Sequence, residues 1–330
     1  MDEEEINSKN NKKDEDNKDN GAQNGAQKGG YLPLIGMAFF LILVQLIALL
    51  MAQPFEANEM YVFEEPESIL NPLMYIGLIL AFTVFLLVVI KLKQDWFIHI
   101  FILFAVASTM YLVFDALIPN ISALTFGPSR LYDEPIDGFS LILTTLLTLA
   151  MYKYPEWYVI DIIGIVIGAG VASIFGISLS IIPVIVLLSV LAIYDAISVY
   201  KTKHMITLAE SVMDMKIPIL FVIPRIRNYS FLKDSKMGEG DAYFMGLGDA
   251  IIPSMLAVSA NFFMDDVAGV TRIGFINAPA LGAIIGMLIG YSVLMFFVGK
   301  GKPHAGLPFL NSGAILGFLF ACAVLGISFI

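Results

Sequence analysis

The chain has 330 residues, of which 58% are hydrophobic types and only 15% charged. A soluble domain carries about 45–50% apolar and about 25% charged residues, so this composition excludes an ordinary soluble fold and predicts one helical membrane bundle built from blocks near the bilayer-spanning length of about 20 residues. The formal charge of −10 marks no partner, because acidic residues gather in the N-terminal tail and in loops such as Glu64, Glu65 and Glu67, and no basic patch points to nucleic acid.

Residues 1–30 are almost wholly polar. Such a segment buries too little apolar surface to offset its ordering entropy, which predicts a disordered cytoplasmic tail. It is not a signal peptide, since the apolar stretch behind it is too long and lacks a small-residue cleavage site. Nine apolar segments follow, at 31–53, 72–92, 97–118, 138–154, 157–176, 181–200, 242–261, 276–299 and 312–330, giving an all-α, nine-span domain over 31–330. The fourth and fifth are separated only by Pro155 and Glu156, a tight hairpin or an interfacial turn. Between the sixth and seventh lies a long loop, 201–240, holding the run Ile217-Pro218-Ile219-Leu220-Phe221-Val222-Ile223-Pro224. Two prolines around β-branched and aromatic residues suit a strand better than a helix; the competing reading is a segment lying on the bilayer surface. Cys322, the only cysteine, falls in the last apolar block, and His99, His204 and His304 are scattered, so no disulfide framework or metal-ligand spacing is present.

Lysine and arginine favour the cytoplasmic side of a membrane. With the N-terminus inside and nine spans, 17 of the 19 basic residues fall on inner segments and only Arg130 and Arg272 outside. One missed or invented helix would reverse the later loops and spoil that partition, so the bias supports both the count and the orientation, N-terminus cytoplasmic and C-terminus outside.

An ionisable residue in a spanning helix costs about 2.5–3.5 kcal/mol on insertion scales and is a functional candidate by default. Asp115 and Asp161 lie near the ends of their segments, where the plain reading is an interfacial carboxylate; Trp157 and Tyr158 beside Asp161 look like an interfacial aromatic belt. Asp195 stands six residues before Lys201 and Asp249 eight residues after Asp241, about 9 and 12 Å below the inner boundary if both segments are helical. Antiparallel neighbours would bring these two carboxylates to one depth. Two like charges there do not both ionise cheaply, and a shared proton is the electrostatic arrangement of an aspartic protease pair, one group activating water and the other protonating the leaving group. Gly246 and Gly248 clear space beside Asp249 for a helix or an extended substrate, and the Tyr194 hydroxyl is placed to serve a polar pocket.

Tyr194-Asp195 in the sixth segment, with Gly246-Leu247-Gly248-Asp249 in the seventh, resembles the paired motifs of the presenilin and signal peptide peptidase family of intramembrane aspartyl proteases, the GxGD type. Residues 245–253, MGLGDAIIP, and the proline-bracketed loop run are closer to signal peptide peptidases, and the whole looks like an archaeal presenilin-like homologue. The resemblance implies nine spans and an endopeptidase that hydrolyses peptide bonds within transmembrane segments. Asp195 and Asp249 would be catalytic, with Tyr194, Gly246, Leu247 and Gly248 supporting them. It implies no cofactor, a multi-pass place in the cell membrane, transmembrane protein substrates and lipid as partners, and it is compatible with a homo-oligomer. The family also carries a Pro-Ala-Leu motif beside its active site. Pro279-Ala280-Leu281 matches it literally but opens the eighth segment; position favours Leu307-Pro308-Phe309-Leu310 at the ninth, with Pro308, Phe309 and Leu310 in the motif's role. A strand edge over residues 219–223, carrying Leu220 and Val222, would pair with the unwound substrate by β-augmentation. Two alternatives stay open: a transporter or channel that uses the carboxylates for cation or proton coupling, and a non-catalytic membrane scaffold.

Overall fold

A computed structural model describes residues 32–91, 95–126, 136–202, 220–225, 229–231, 242–265, 267–298 and 304–328. The predicted tail and most of the predicted 201–240 loop lie outside them. The described residues form nine α-helices: α1 (Leu32–Ala57), α2 (Leu70–Lys91), α3 (Asp95–Phe126), α4 (Ile136–Lys153), α5 (Trp157–Ser178), α6 (Ile181–Ile197), α7 (Leu247–Phe263), α8 (Ala278–Val298) and α9 (Leu307–Leu325). A π-helical turn, Ser198–Thr202, continues α6. Six of the helices are long and apolar enough to cross a membrane, and the apolar runs Leu70–Phe85, Gly138–Lys153 and Leu247–Phe263 are shorter.

Two hairpins interrupt the helices. β1 (Leu220–Pro224) pairs antiparallel with β2 (Ala242–Gly246), and β3 (Arg272–Ile273) with β4 (Ile276–Asn277). The strand expected in the long loop is therefore present as β1. The segment 242–261, expected to be helical throughout, is corrected: its first five described residues are β2, and the helix starts at Leu247. A short apolar run has no periodicity that separates strand from helix, and here the partner strand decides. The last helix is also corrected, starting at Leu307 rather than 312, with proline in its first turn, where the missing N–H costs nothing.

α5 lies at the centre, packed against α1, α7, α3 and β1. α8 and α9 pack closest of all, along Gly282, Gly286 and Gly290 on one helix and Gly313 and Gly317 on the other; a Cβ on Gly286 would run into the Gly313 carbonyl. Small residues of this kind let helix backbones touch where lipid gives no hydrophobic drive to associate. The connections sort to two ends. At one, the Val62 amide donates to Ser178 Oγ at 2.8 Å and the Ser180 amide to the Pro66 carbonyl at 2.9 Å. At the other, the Tyr291 hydroxyl donates to the Leu34 carbonyl at 2.9 Å and Ile223 of β1 reaches Gly36 of α1.

Candidate active site

One face of α5 sets the frame. Asp161, Gly164 and Gly168 stand three and four residues apart, on one side of the helix. The space at Gly164 takes the Phe221 ring of β1, and that at Gly168 takes Leu247 at the start of α7, where added Cβ atoms would meet these side chains at 3.1 and 3.3 Å. Asp161 Oδ1 accepts the Val222 amide at 2.8 Å, and Asp161 is buried, 2% exposed. The interfacial reading of Asp161 is thus corrected: it is buried and bonded to β1, and beside it Trp157 packs on a cluster of Ile160, Val222, Tyr229 and Phe231. Asp115 is half-buried, and its helix runs on to Phe126 rather than ending near 118.

Asp195, 5% exposed, sits in the last turn of α6. Its Oδ2 accepts the Leu307 amide at 3.1 Å, and the Gly306 amide faces the same carboxylate. These are orphan donors at the start of α9, and the positive end of that helix favours an anion there. Asp249 sits in the first turn of α7, reached through a strand rather than two helical turns. Its carboxylate lies against Gly306: a Cβ there would stand 2.8 Å from Oδ2 and 2.9 Å from Oδ1. Asp249 lies within electrostatic reach of Asp195. The backbone of Gly306 and Leu307 therefore touches both acids. Pro253 has no N–H to offer the carbonyl of Asp249 four residues back, so that carbonyl lacks its intrahelical donor.

The supporting residues take different places. Leu247 is buried against α5, and Gly246 is in ordinary contact with Asp249, at 3.5 Å from a built Cβ to Oδ2. Gly248 is exposed. Tyr194 is 40% exposed and, among the described residues, its hydroxyl has no hydrogen bond, a correction that follows from the roughly 100° between adjacent helical side chains: with Asp195 turned inward, Tyr194 turns aside. Pro308 opens α9 and Leu310 is fully buried. The Phe309 ring packs on Phe297 at 5.7 Å and on His304 at 6.4 Å, and His304 Nδ1 bonds the Tyr200 hydroxyl at 3.1 Å. The phenylalanine standing for alanine thus joins an aromatic cluster between α8 and the residues that lead into α9. Pro279 lies elsewhere: Asn277 beside it bonds Asn261 and the Ala260 carbonyl, twelve residues along α7 from Asp249, about 18 Å away.

The strand edge is also redrawn. In an antiparallel strand the N–H and C=O of one residue point the same way and alternate along the chain. The Val222 amide points to Asp161, so Phe221 and Ile223 are the residues whose backbones face β2, opposite Met245 and Tyr243. The outer edge of β1 is occupied at Val222, contrary to the expectation of an open edge over 219–223. Among the described residues, the other edge of the hairpin, on β2, carries the outward backbones of Ala242 and Phe244, while the backbone of Gly246 bonds the Asp249 carboxylate. Reasoning from sequence missed this edge, along with Gly306 and the buried role of Asp161.

A family model described as signal-peptide peptidase, presenilin aspartyl protease matches residues 37–327. A solved structure of a presenilin family intramembrane aspartate protease, in a C222 crystal, is 44% identical with a TM-score of 0.66, covering 88% of this chain and 99% of that one. A second, described in the same words and in a P2 crystal, is 44% identical with a TM-score of 0.64, covering 89% and 98%. Comparison with curated proteins gives no significant match.

Proposed function

The chain belongs to the signal-peptide peptidase and presenilin family of aspartyl proteases, and from that premise we propose that Asp195 and Asp249 are its two catalytic acids. One carboxylate takes a proton from a water molecule as the water attacks the substrate carbonyl. The other gives a proton to the leaving amide nitrogen, so that the pair returns to its shared-proton state after each cut. The observation that carries this is the Gly306–Leu307 backbone, which touches both acids at once. Neither the transport nor the scaffold reading accounts for it.

Pro308, Phe309 and Leu310 hold that backbone in place. The substrate is a transmembrane helix, whose peptide bonds are shielded by their own hydrogen bonds until it unwinds. The β2 edge, open at Phe244 among the described residues, offers the unwound segment a strand to pair with, two residues before the strand ends at Gly246. Leu220 and Val222 serve substrate positioning from behind, by backing β2, rather than by direct pairing.

The bundle crosses the cell membrane nine times with the N-terminus cytoplasmic, and its apolar outer faces contact lipid. The charge partition supports this, as does the sorting of connections: the turns at 58–69 and 178–180 meet at one end, and Leu34 meets Tyr291 at the other. Substrates with their N-termini outside fit this orientation. The test is incubation of the solubilised protein with a single-span model substrate. Cleavage that persists after Asp249→Ala would defeat the assignment.

A further inference from the structure

We propose that Asp161 is a positioning residue of the protease. It locks the register of the β1–β2 hairpin and so determines which substrate bond reaches Asp195 and Asp249. The inference rests on the assignment of the dyad above and concerns a residue that acts through the hairpin rather than on the scissile bond.

A buried carboxylate in a spanning helix is expensive and persists where it has work to do. Asp161 is 2% exposed; Oδ1 holds the Val222 amide at 2.8 Å, and Oδ2 has no partner among the described residues. Val222 is the middle residue of β1 and stands opposite Phe244. Phe244 lies two residues from the last residue of β2, and α7 with Asp249 follows without a loop. A single hydrogen bond on β1 thereby fixes where β2 stops and Asp249 begins.

The bond also reads register. Because strand residues alternate in direction, a slip of one residue would turn the 222 amide toward β2 and carry the Phe221 ring to the opposite face of the hairpin, out of its seat at Gly164. Phe221 seated at Gly164 and Leu247 seated at Gly168 reinforce the same setting from the same helix face. Asp161 further denies the outer edge of β1 to any incoming strand, which leaves β2 as the place where a substrate can add. A side chain that only stabilised the bundle would have no reason to choose between those edges.

The test uses the purified full-length protein and a single-span model substrate whose fragments are mapped by mass spectrometry. Wild type must cut and Asp249→Ala must not; failure there would sink the protease assignment and not this inference. Given that control, Asp161→Ala is expected to lower kcat about tenfold or more and to spread the cuts over neighbouring bonds. Asp161→Asn keeps an acceptor oxygen and is expected to restore the wild-type bonds with kcat within about threefold, since the bond it keeps is the one that matters. Val222→Pro removes the same hydrogen bond from its other end without breaking the ladder to β2 and is expected to reproduce the alanine pattern. The double variant should be no worse than either single one. Wild-type bonds and rate in Asp161→Ala or Val222→Pro, an unchanged choice of bonds at lower kcat, or no rescue by asparagine would each overturn the proposal. If neither Asp161→Ala nor Val222→Pro folds, the bond belongs to folding rather than positioning, and the proposal fails likewise.

Discussion

At the scale of single residues, the two acids differ in how they are held. Asp195 accepts an amide from the start of α9, so asparagine at 195 keeps an acceptor where alanine leaves the Leu307 donor buried and unpaired. Asp195→Asn and Asp249→Asn are therefore the cleaner variants. Each is expected to lower the turnover of a transmembrane substrate by ~10²–10⁴-fold with the thermal unfolding midpoint held, and the double variant to be little worse, because groups that act as a unit are not additive. Wild-type activity should trace a bell against pH that belongs to the pair rather than to either acid. Gly306 makes a sharper case, since any side chain there enters the Asp249 carboxylate. Gly306→Ala is expected to cost ~10²-fold in kcat/KM while the protein still folds; near wild-type cleavage would show that the close approach is not used. Asp195 and Asp249 were legible in the sequence because a charge inside an apolar run stands out. Gly306 was not, because its partner lies 57 positions away and nothing local asks for glycine. Asp161 was misread for a similar reason: Trp157 and Tyr158 suggest an interface, and the strand that buries it arrives from another part of the chain.

At the scale of elements, β1 was readable and β2 was not. Prolines bracket β1 and stop any helix there, whereas Ala242-Tyr243-Phe244-Met245-Gly246 is apolar and runs straight into a true helix. The helix break is set by pairing with β1 and by Gly246, whose strand-like backbone precedes Leu247. Placing the strand before Asp249 puts an extended backbone beside the acid, which a helix continuing from 242 could not supply. The alternation that turns Val222 toward Asp161 also turns Phe244 outward. Proline at Phe244 therefore removes a donor from the β2 edge, unpaired there among the described residues, and spares the ladder, a position where strands tolerate it. Phe244→Pro is expected to lower the rate of substrate cleavage about tenfold, whereas cleavage of a short, already extended peptide should fall much less. Equal losses on both substrates would show that the edge does not serve unwinding. Comparing the two rates on one preparation separates strand pairing from general damage to α7.

At the scale of the whole molecule, nine apolar segments were legible because bilayer thickness imposes a length that sequence alone displays; the exact ends were not, because strands and proline-led turns shift them by several residues. The proposed orientation rests on charge, while the contacts check which connections share a side. The 58–69 connection meets the 178–180 turn, both on the outer side of the charge partition, while Leu34 meets Tyr291 and Gly36 meets Ile223 on the inner side. Five segments of the chain thus agree on two sides. An inverted bundle would keep these contacts but would place 17 basic residues outside, against the bias that governs insertion. Single cysteines distinguish the two cases. On a Cys322→Ser background, which removes the one native thiol, Glu64→Cys in the exposed 58–69 connection is expected to react with an impermeant thiol reagent in sealed cells. Ser235→Cys, in the basic loop between the helices that bear Asp195 and Asp249, is expected to react only after permeabilisation. The reverse pattern would invert the molecule, and with it the direction in which a substrate helix must enter the site: the carboxylates lie nearer the basic side, so the bond they reach is fixed by which end of the substrate faces the cytoplasm.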